Sequence, residues 1–197
     1  MIRNPWRTAA LALAILLLAA CASGGAGGRL QAAGDARVFD LALDTDLDWA
    51  RLKAPRQEQW TIDGAPLNQL MIISGIRPGE HVFLGAKARR SRPDGPWFRT
   101  GMRPDEVRDV VLDGLRGGGW ANVRGSALRP ANWGPSPGLR FDLALDNPGG
   151  LKYRGLATAA ERDGRLTLLV WIAPAEHYYE RDAEAVSRLF DSLRFVE

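Results

Sequence analysis

The sequence predicts an α+β domain, a mostly antiparallel sheet with flanking helices, its elements running β-β-β-α twice. Three observations predict it. Apolar and polar residues alternate along several short segments, the period of a strand with one buried face. Asp-Gly pairs at 63–64 and 163–164 separate such segments, where a tight hairpin needs residues that accept a positive φ. Two stretches, about 104–116 and 178–193, carry apolar residues at helical spacing, and each follows a hairpin. Strands grouped before helices favour a sheet packed under helices over a parallel, singly alternating plan.

The folded part is expected from about Arg37. From Phe39 to Trp49 the odd positions are mainly large and apolar, whereas Asp40, Ala42, Asp44, Asp46 and Asp48 fill the even ones. That pattern predicts a half-buried strand over at least the first half of the stretch. Strands at 57–63 and 67–76 follow, with Pro66 loosening the turn between them. The first helix opens on Pro104, with Asp105 and Glu106 at the positive end of its dipole. Val107, Val110, Val111 and Leu115 form its apolar stripe, and Gly117-Gly118-Gly119 stops it. A strand near 120–128 leads through a Pro/Gly loop to another at Leu139–Asp146. A hairpin at 151–162 and 165–173 ends at Pro174, and the last helix turns Val186, Leu189, Phe190 and Leu193 to the core.

Phe-Asp-Leu-Ala-Leu-Asp stands at 39–44 and again at 141–146. Each copy precedes an Asp-Gly hairpin, a strand ending in Ile-x-Pro (76–78 and 172–174) and a helix. Either the domain of residues 37–197 contains two pseudo-repeats, about 37–119 and 120–197, or strands of similar pattern have converged on similar words.

The element order resembles the fold shared by the Mog1 and PsbP-type proteins. So does the close, Tyr178-Tyr179-Glu180-Arg181 through Ser192-Leu193-Arg194-Phe195, where a helix opening on aromatic residues leads into a short terminal strand. The resemblance covers roughly residues 37–197 and implies a sandwich of sheet and helices. A cystatin-like arrangement, one helix on a sheet, is the alternative.

The first twenty residues read differently. Arg3 and Arg7 precede an unbroken apolar run from Ala9 to Ala20, the order of a secretory signal and too short to span a bilayer core of about 30 Å. Leu18-Ala19-Ala20-Cys21 resembles the lipobox of bacterial lipoproteins. That resemblance implies cleavage before Cys21, acylation of its thiol and new amine, and attachment to the membrane through those acyl chains. Cys21 is the only cysteine, so no intramolecular disulfide forms, and lipidation would remove a free thiol from an oxidising compartment. Removal of residues 1–20 leaves 177 of 197 and lowers the formal charge from +3 to +1, so any electrostatic argument must be local. Residues 21–36, rich in glycine and alanine, are expected to be a flexible tether. Ala22, where an aspartate would retain an enteric-type lipoprotein in the inner membrane, points to the outer membrane facing the periplasm.

Catalytic motifs are scarce. There is no Gly-x-Ser-x-Gly elbow, phosphate loop, His-Glu-x-x-His helix or Cys-x-x-Cys pair. Asp44-Thr45-Asp46-Leu47-Asp48 begins like a calcium loop, but the sixth and twelfth places hold Trp49 and Pro55, so wet-face carboxylates are the plainer reading. His177, between Glu176 and Glu180, lacks a third ligand at useful spacing, and His81 sits beside Glu80. No metal or cofactor is expected. The distinctive stretch is residues 86–103, where Lys87, Arg89, Arg90, Arg92, Arg99 and Arg103 crowd around Trp97 and Phe98 against only Asp94. Cations interleaved with aromatics suit anionic headgroups or an acidic envelope protein. The plainer reading is a solvated loop pinned to the core by Trp97 and Phe98. Nucleic acid is disfavoured by the compartment. The expectation is therefore a non-catalytic, lipid-anchored binding or assembly module of the cell envelope. A carrier or sensor of a small apolar ligand is the first alternative, an enzyme of unrecognised type the second.

Overall fold

The stretch Leu166 to Ala173 has almost no polar interruption, and it becomes the strand buried on both faces at the middle of the fold. The computed structural model describes residues 28–85 and 94–197. In chain order these form β1 (Arg29–Gln31), β2 (Gly34–Val38), β3 (Leu41–Thr45), β4 (Trp49–Ala54), β5 (Gln57–Thr61) and β6 (Gln69–Ile76). Helix α1 (Pro104–Gly117) follows, then β7 (Ala121–Trp133), β8 (Ser136–Asp146), β9 (Lys152–Arg162), β10 (Arg165–Pro174), helix α2 (Tyr178–Asp191) and β11 (Arg194–Phe195). An eight-stranded antiparallel sheet has the order β1-β4-β5-β6-β10-β9-β8-β7, and a second sheet has the order β11-β3-β2.

The large sheet separates two apolar layers. On one face Leu166, Leu168, Val170 and Ile172 meet Val107, Val111 and Leu115 of α1. On the other, Leu169, Trp171 and Ala173 meet Val186, Leu189 and Phe190 of α2 together with Leu41 and Leu43 of the small sheet. Strand β10 must therefore be apolar at consecutive positions. Its neighbour β9 supplies small residues; at Gly155 a Cβ would lie 2.2 Å from the Trp171 carbonyl oxygen. Helices on opposite faces exclude the single-helix-on-sheet alternative.

Three expectations need correction. The stretch expected as tether is partly strand: β1 pairs with β4, and β2 with β3. The cause is long-range. Arg51, buried in β4, donates through Nη1 to Gln31 Oε1 at 2.9 Å and through Nη2 to the Arg37 carbonyl at 3.1 Å. Second, residues 39–49 are not one strand. Phe39 and Asp40 form the turn between β2 and β3, and a bend after Thr45 separates β3 from β4. Third, the Pro/Gly loop expected between β7 and β8 shrinks to a tight turn at Gly134 (φ 60°), with β7 continuing through Pro130. Proline is tolerated there because β7 is the sheet's outermost strand.

The repeated words are only partly equivalent in space. Both Asp-Gly turns join a strand to the central antiparallel pair, β6 and β10. The identical hexapeptides diverge: Phe141 is fully buried in the large sheet, whereas Phe39 sits 42% exposed in a turn of the small one. A two-fold relating antiparallel β6 and β10 would also place both helices on one face, and they lie on opposite faces.

Candidate functional site

The expected contact stretch is described only from Asp94 onward; Lys87, Arg89, Arg90 and Arg92 lie outside the described residues, as do Cys21 and the apolar segment before it. Trp97 departs from the expectation. It is 9% exposed, bridges His81 in an isolated β-pairing and meets the His81 ring edge-on at 5.8 Å. Its indole Nε1 has no hydrogen-bond partner. A ring held inward in this way presents no face to a partner, so Trp97, with fully buried Phe98, pins the loop to the core. Arg99 is exposed and pairs with Glu106 at 3.7 Å, and Arg103 pairs with Asp105 and Glu106. The loop then abuts the β9–β10 turn, the Gly101 amide donating to Glu161 Oε2 at 3.0 Å.

On the other side of that turn is a cleft of about 540 Å³, open to solvent and lined by Phe39, Asp40, Ser74, Gly75, Arg162, Asp163, Arg165, Thr167 and Phe195. Four chain segments meet there: the β2–β3 turn, the end of β6, the β9–β10 hairpin and β11. Strand β6 carries one extra residue opposite Thr167, since Leu166 pairs with Ile76 but Leu168 with Ile73. Gly75 takes φ 64° at this bulge, a device that re-aims side chains. Phe39 has φ 53°, rare for a bulky residue, and strain of that kind concentrates at functional positions.

Asp40 organises the cleft. Its Oδ1 accepts from the Ser74 hydroxyl and its Oδ2 from Arg162 Nη2, both at 2.8 Å. The Arg162 guanidinium also lies over the Phe195 ring, 4.3 Å from its centre. Arg162 is thus fixed from two sides. Arg165 is its direct cross-strand partner and lacks any ion-pair or hydrogen-bond partner among the described residues. Like charges opposite one another in a ladder are destabilising, on the scale of about 0.2–1 kcal/mol that such pairs carry.

The other motifs fall elsewhere. Asp46 pairs with Arg188 and Asp48 accepts from the Ala33 amide, while Asp44 faces Asp35 across β2–β3. Hydrogen bonding with the Asp35 carboxyl, a small loss of solvation and the Asp35 charge raise the pKa of exposed Asp44, with Arg194 opposing. Among the described residues, no group of three or more His, Cys, Asp or Glu is placed to hold a metal. His177 takes φ 64° at the head of α2 and packs on Tyr178. His81 accepts the Phe83 amide on Nδ1 at 3.0 Å, and burial lowers its pKa. It borders a second, more apolar pocket of about 300 Å³ with Met71, Phe83, Leu115 and Trp120 at the end of α1. There Gly114 lets the Phe83 ring close on the helix, since a Cβ would meet it at 2.7 Å. Asp109 and Asp113 each pair with an arginine of their own helix.

Sequence reasoning missed the cleft because its residues come from positions 39–40, 74–75, 162–167 and 195, which only pairing brings together. The available signals were Arg162 and Arg165 flanking Asp163-Gly164, and an aromatic residue ahead of a strand at Phe39.

No protein-family model matches the sequence, and no curated protein matches it. Solved structures do. Cyanobacterial PsbP from Synechocystis sp. PCC 6803 superposes with a TM-score of 0.54 at 9% identity, over 88% of this chain and 95% of that one. The Saccharomyces cerevisiae Ran-binding protein Mog1p gives 0.52 at 8% identity, over 86% and 97%. The likeness to LpqN of Mycobacterium tuberculosis, described as involved in cell envelope biogenesis, is looser: 0.43 at 12% identity, over 89% and 88%. The chain has the Mog1/PsbP-like fold. At such identities a shared fold transfers no partner, activity or site residue.

Proposed function

Proceeding from that fold, we propose that this protein is a non-catalytic binding module of the cell envelope, anchored through acyl chains on Cys21, whose ligand contact is the Asp40–Arg162 cleft. The cleft carries the reading. Its size falls within the roughly 300–1,000 Å³ typical of ligand sites. Asp40 and Arg162 are tied into fixed positions, and no histidine is among the described lining residues. Ser74 donates to Asp40, whose other oxygen is held by the Arg162 guanidinium, a paired carboxylate that suits recognition better than activation of a nucleophile. The anchor rests on Leu18-Ala19-Ala20-Cys21 alone. Among the described residues no helix is long and apolar enough to cross a membrane. Arg99, with Lys87, Arg89, Arg90 and Arg92 outside the described residues, would add a basic contact for an acidic envelope protein or anionic headgroups.

Crosslinking of the anchored protein in cells, read by mass spectrometry, tests the binding role. A specific partner mapping to the cleft or to residues 86–103 is the expected result. Crosslinks unchanged by charge reversal at Arg89, Arg90 and Arg92 would remove the basic stretch from the proposal. For the anchor, Cys21→Ser should abolish incorporation of labelled fatty acid and block processing; a processed serine variant that stays on the membrane overturns it.

One observation favours a second reading. The apolar pocket under Phe83 and Trp120 fits a small apolar ligand, as a carrier or sensor would need. Trp120 fluorescence should then respond to a naphthyl or fatty-acid probe, and an unchanged spectrum at saturating probe excludes this role.

A further inference from the structure

The cleft contains a cation, Arg165, that has no ion-pair partner among the described residues. Arg162 and Arg165 are directly opposed on β9 and β10, so their side chains leave the sheet on the same face. Asp40 serves only one of them: its Oδ1 accepts from Ser74 and its Oδ2 from Arg162, and among the described residues no ion pair or hydrogen bond joins it to Arg165. Asp163 points into solvent, 91% exposed and 4.0 Å from Arg162 Nε.

Other like-charged ladder pairs are handled differently. Arg129 and Arg140 face each other, but Arg129 has Asp142 at 3.0 Å and Arg140 has Asp191 at 2.9 Å. Asp35 and Asp44 share Arg194, at 4.0 and 3.8 Å. Arg29 opposes Arg51 without a partner of its own among the described residues, but it lies exposed on the edge strand β1 and does not line this cleft. Among the described residues, the Arg162–Arg165 pair alone combines a cation without an ion-pair partner and a concave site. The rest of the lining complements it. Phe195 is stacked under Arg162, and strained Phe39 supplies an exposed ring at the cleft.

We infer that the cleft binds a small organic anion, its carboxylate or phosphate held between Arg162 and Arg165 and its apolar portion against Phe39 and Phe195. A fixed guanidinium beside a free one suits such a group, because arginine donates in a planar fork matched to two oxygens. Asp40 sets the geometry without filling the anion's place. This inference rests on the cleft being the ligand contact and specifies what it takes.

Amide NMR shifts of the full-length protein in a non-ionic detergent, with thermal melting alongside, provide the test. The probes are benzoate, phenyl phosphate, benzyl alcohol and benzylamine. Benzoate or phenyl phosphate should shift Gly75, Arg162 and Arg165 and bind at least about tenfold more tightly than benzyl alcohol, with benzylamine weakest. Comparison of the two anions identifies the preferred headgroup. Arg165→Met, which keeps an apolar stem at an exposed position and relieves the like-charge pair, should abolish the preference for anions while leaving the melting temperature of the free protein the same or slightly higher. If benzyl alcohol binds as tightly as the anions, or if Arg165→Met leaves their affinity intact, the clamp is wrong and the binding cleft survives. If no probe shifts these residues at millimolar concentration, the cleft is not a ligand site and both readings fall.

Discussion

Glu58→Gln tests what ties the first two strands to the body of the fold. Glu58, almost fully buried in β5, accepts from Arg51 Nε at 2.8 Å, Arg51 Nη2 at 3.0 Å and Trp60 Nε1 at 2.8 Å. The amide keeps the shape and one acceptor oxygen but leaves Arg51, 6% exposed, without a counter-charge. Breaking one side of a buried pair costs about 3–5 kcal/mol. At roughly 2–4 °C per kcal/mol for a domain of this size, the melting temperature should fall by roughly 6–20 °C. Arg51 also holds Gln31 and the Arg37 carbonyl, so amides of β1 and β2 should exchange faster in the variant. The pH profile carries a second signature. Burial by itself raises the Glu58 pKa, but the bonds from Arg51 and Trp60, with the charges of Arg51 and Lys53, outweigh it and hold the carboxyl below its ordinary 4.5. Its contribution is complete above 4.5 and is lost as pH falls through the lower folded value. The glutamine variant should lack that descent. Replacing both partners, as Arg51→Met with Glu58→Leu, should recover part of the loss, short by the orphaned Trp60 N–H, about 1–3 kcal/mol. Urea unfolding measures all three. A Glu58→Gln penalty under about 1 kcal/mol, with unchanged exchange in β1 and β2, would refute this account.

Further outcomes follow from single positions. Trp97→Ala should cost about 3–5 kcal/mol by chemical denaturation, whereas Trp97→Phe should cost under about 1 kcal/mol, because it keeps most of the ring and removes an unpaired N–H; a Trp97→Ala protein of wild-type stability would restore Trp97 as a surface contact. Gly155→Ala should cost about 1–3 kcal/mol or more, since its methyl group meets the β10 backbone, and a neutral result would contradict the strand spacing. Burial lowers the His81 pKa from 6.5, so as pH falls below 6.5 the unfolded state takes the proton first and stability declines until the folded pKa is passed. Proton NMR titration of the ring, with melting curves at pH 5 to 8 for wild type and His81→Gln, checks both the direction and the loss of this dependence.

Local patterns made much of the architecture legible. Asp163-Gly164 adopts φ 53° and 69°, the left-handed values such a turn requires, and the hairpin around it spans almost the residues its alternation implies. Pro104 opens α1, and Val186, Leu189, Phe190 and Leu193 are buried as their spacing indicates. These features depend on neighbours three or four positions away, or on one turn. Where partners are remote, the pattern misled. Residues 29–36 look like linker because what orders them is Arg51 and pairing strands, not their own composition. Phe39-Asp40 reads as the start of a strand because the same letters are one at 141–142, yet here they turn. Trp97 read either as a surface aromatic among cations or as a pin to the core, and its burial and its bridge to His81 decide for the pin.

By itself the sequence determined the kind of fold, the helices and hairpins, and the lipobox-like Cys21 on which the anchoring proposal depends, since each is written in contiguous residues. The tertiary structure decided which faces those elements cover and what meets at their ends. Cross-strand register set Arg165 against Arg162, and the extra residue in β6 brought Ser74 and Gly75 to the same cleft. The small sheet then added Asp40 for one arginine and none for the other. No local rule contains that imbalance, because charge compensation is fixed by distances between segments more than a hundred residues apart in the chain.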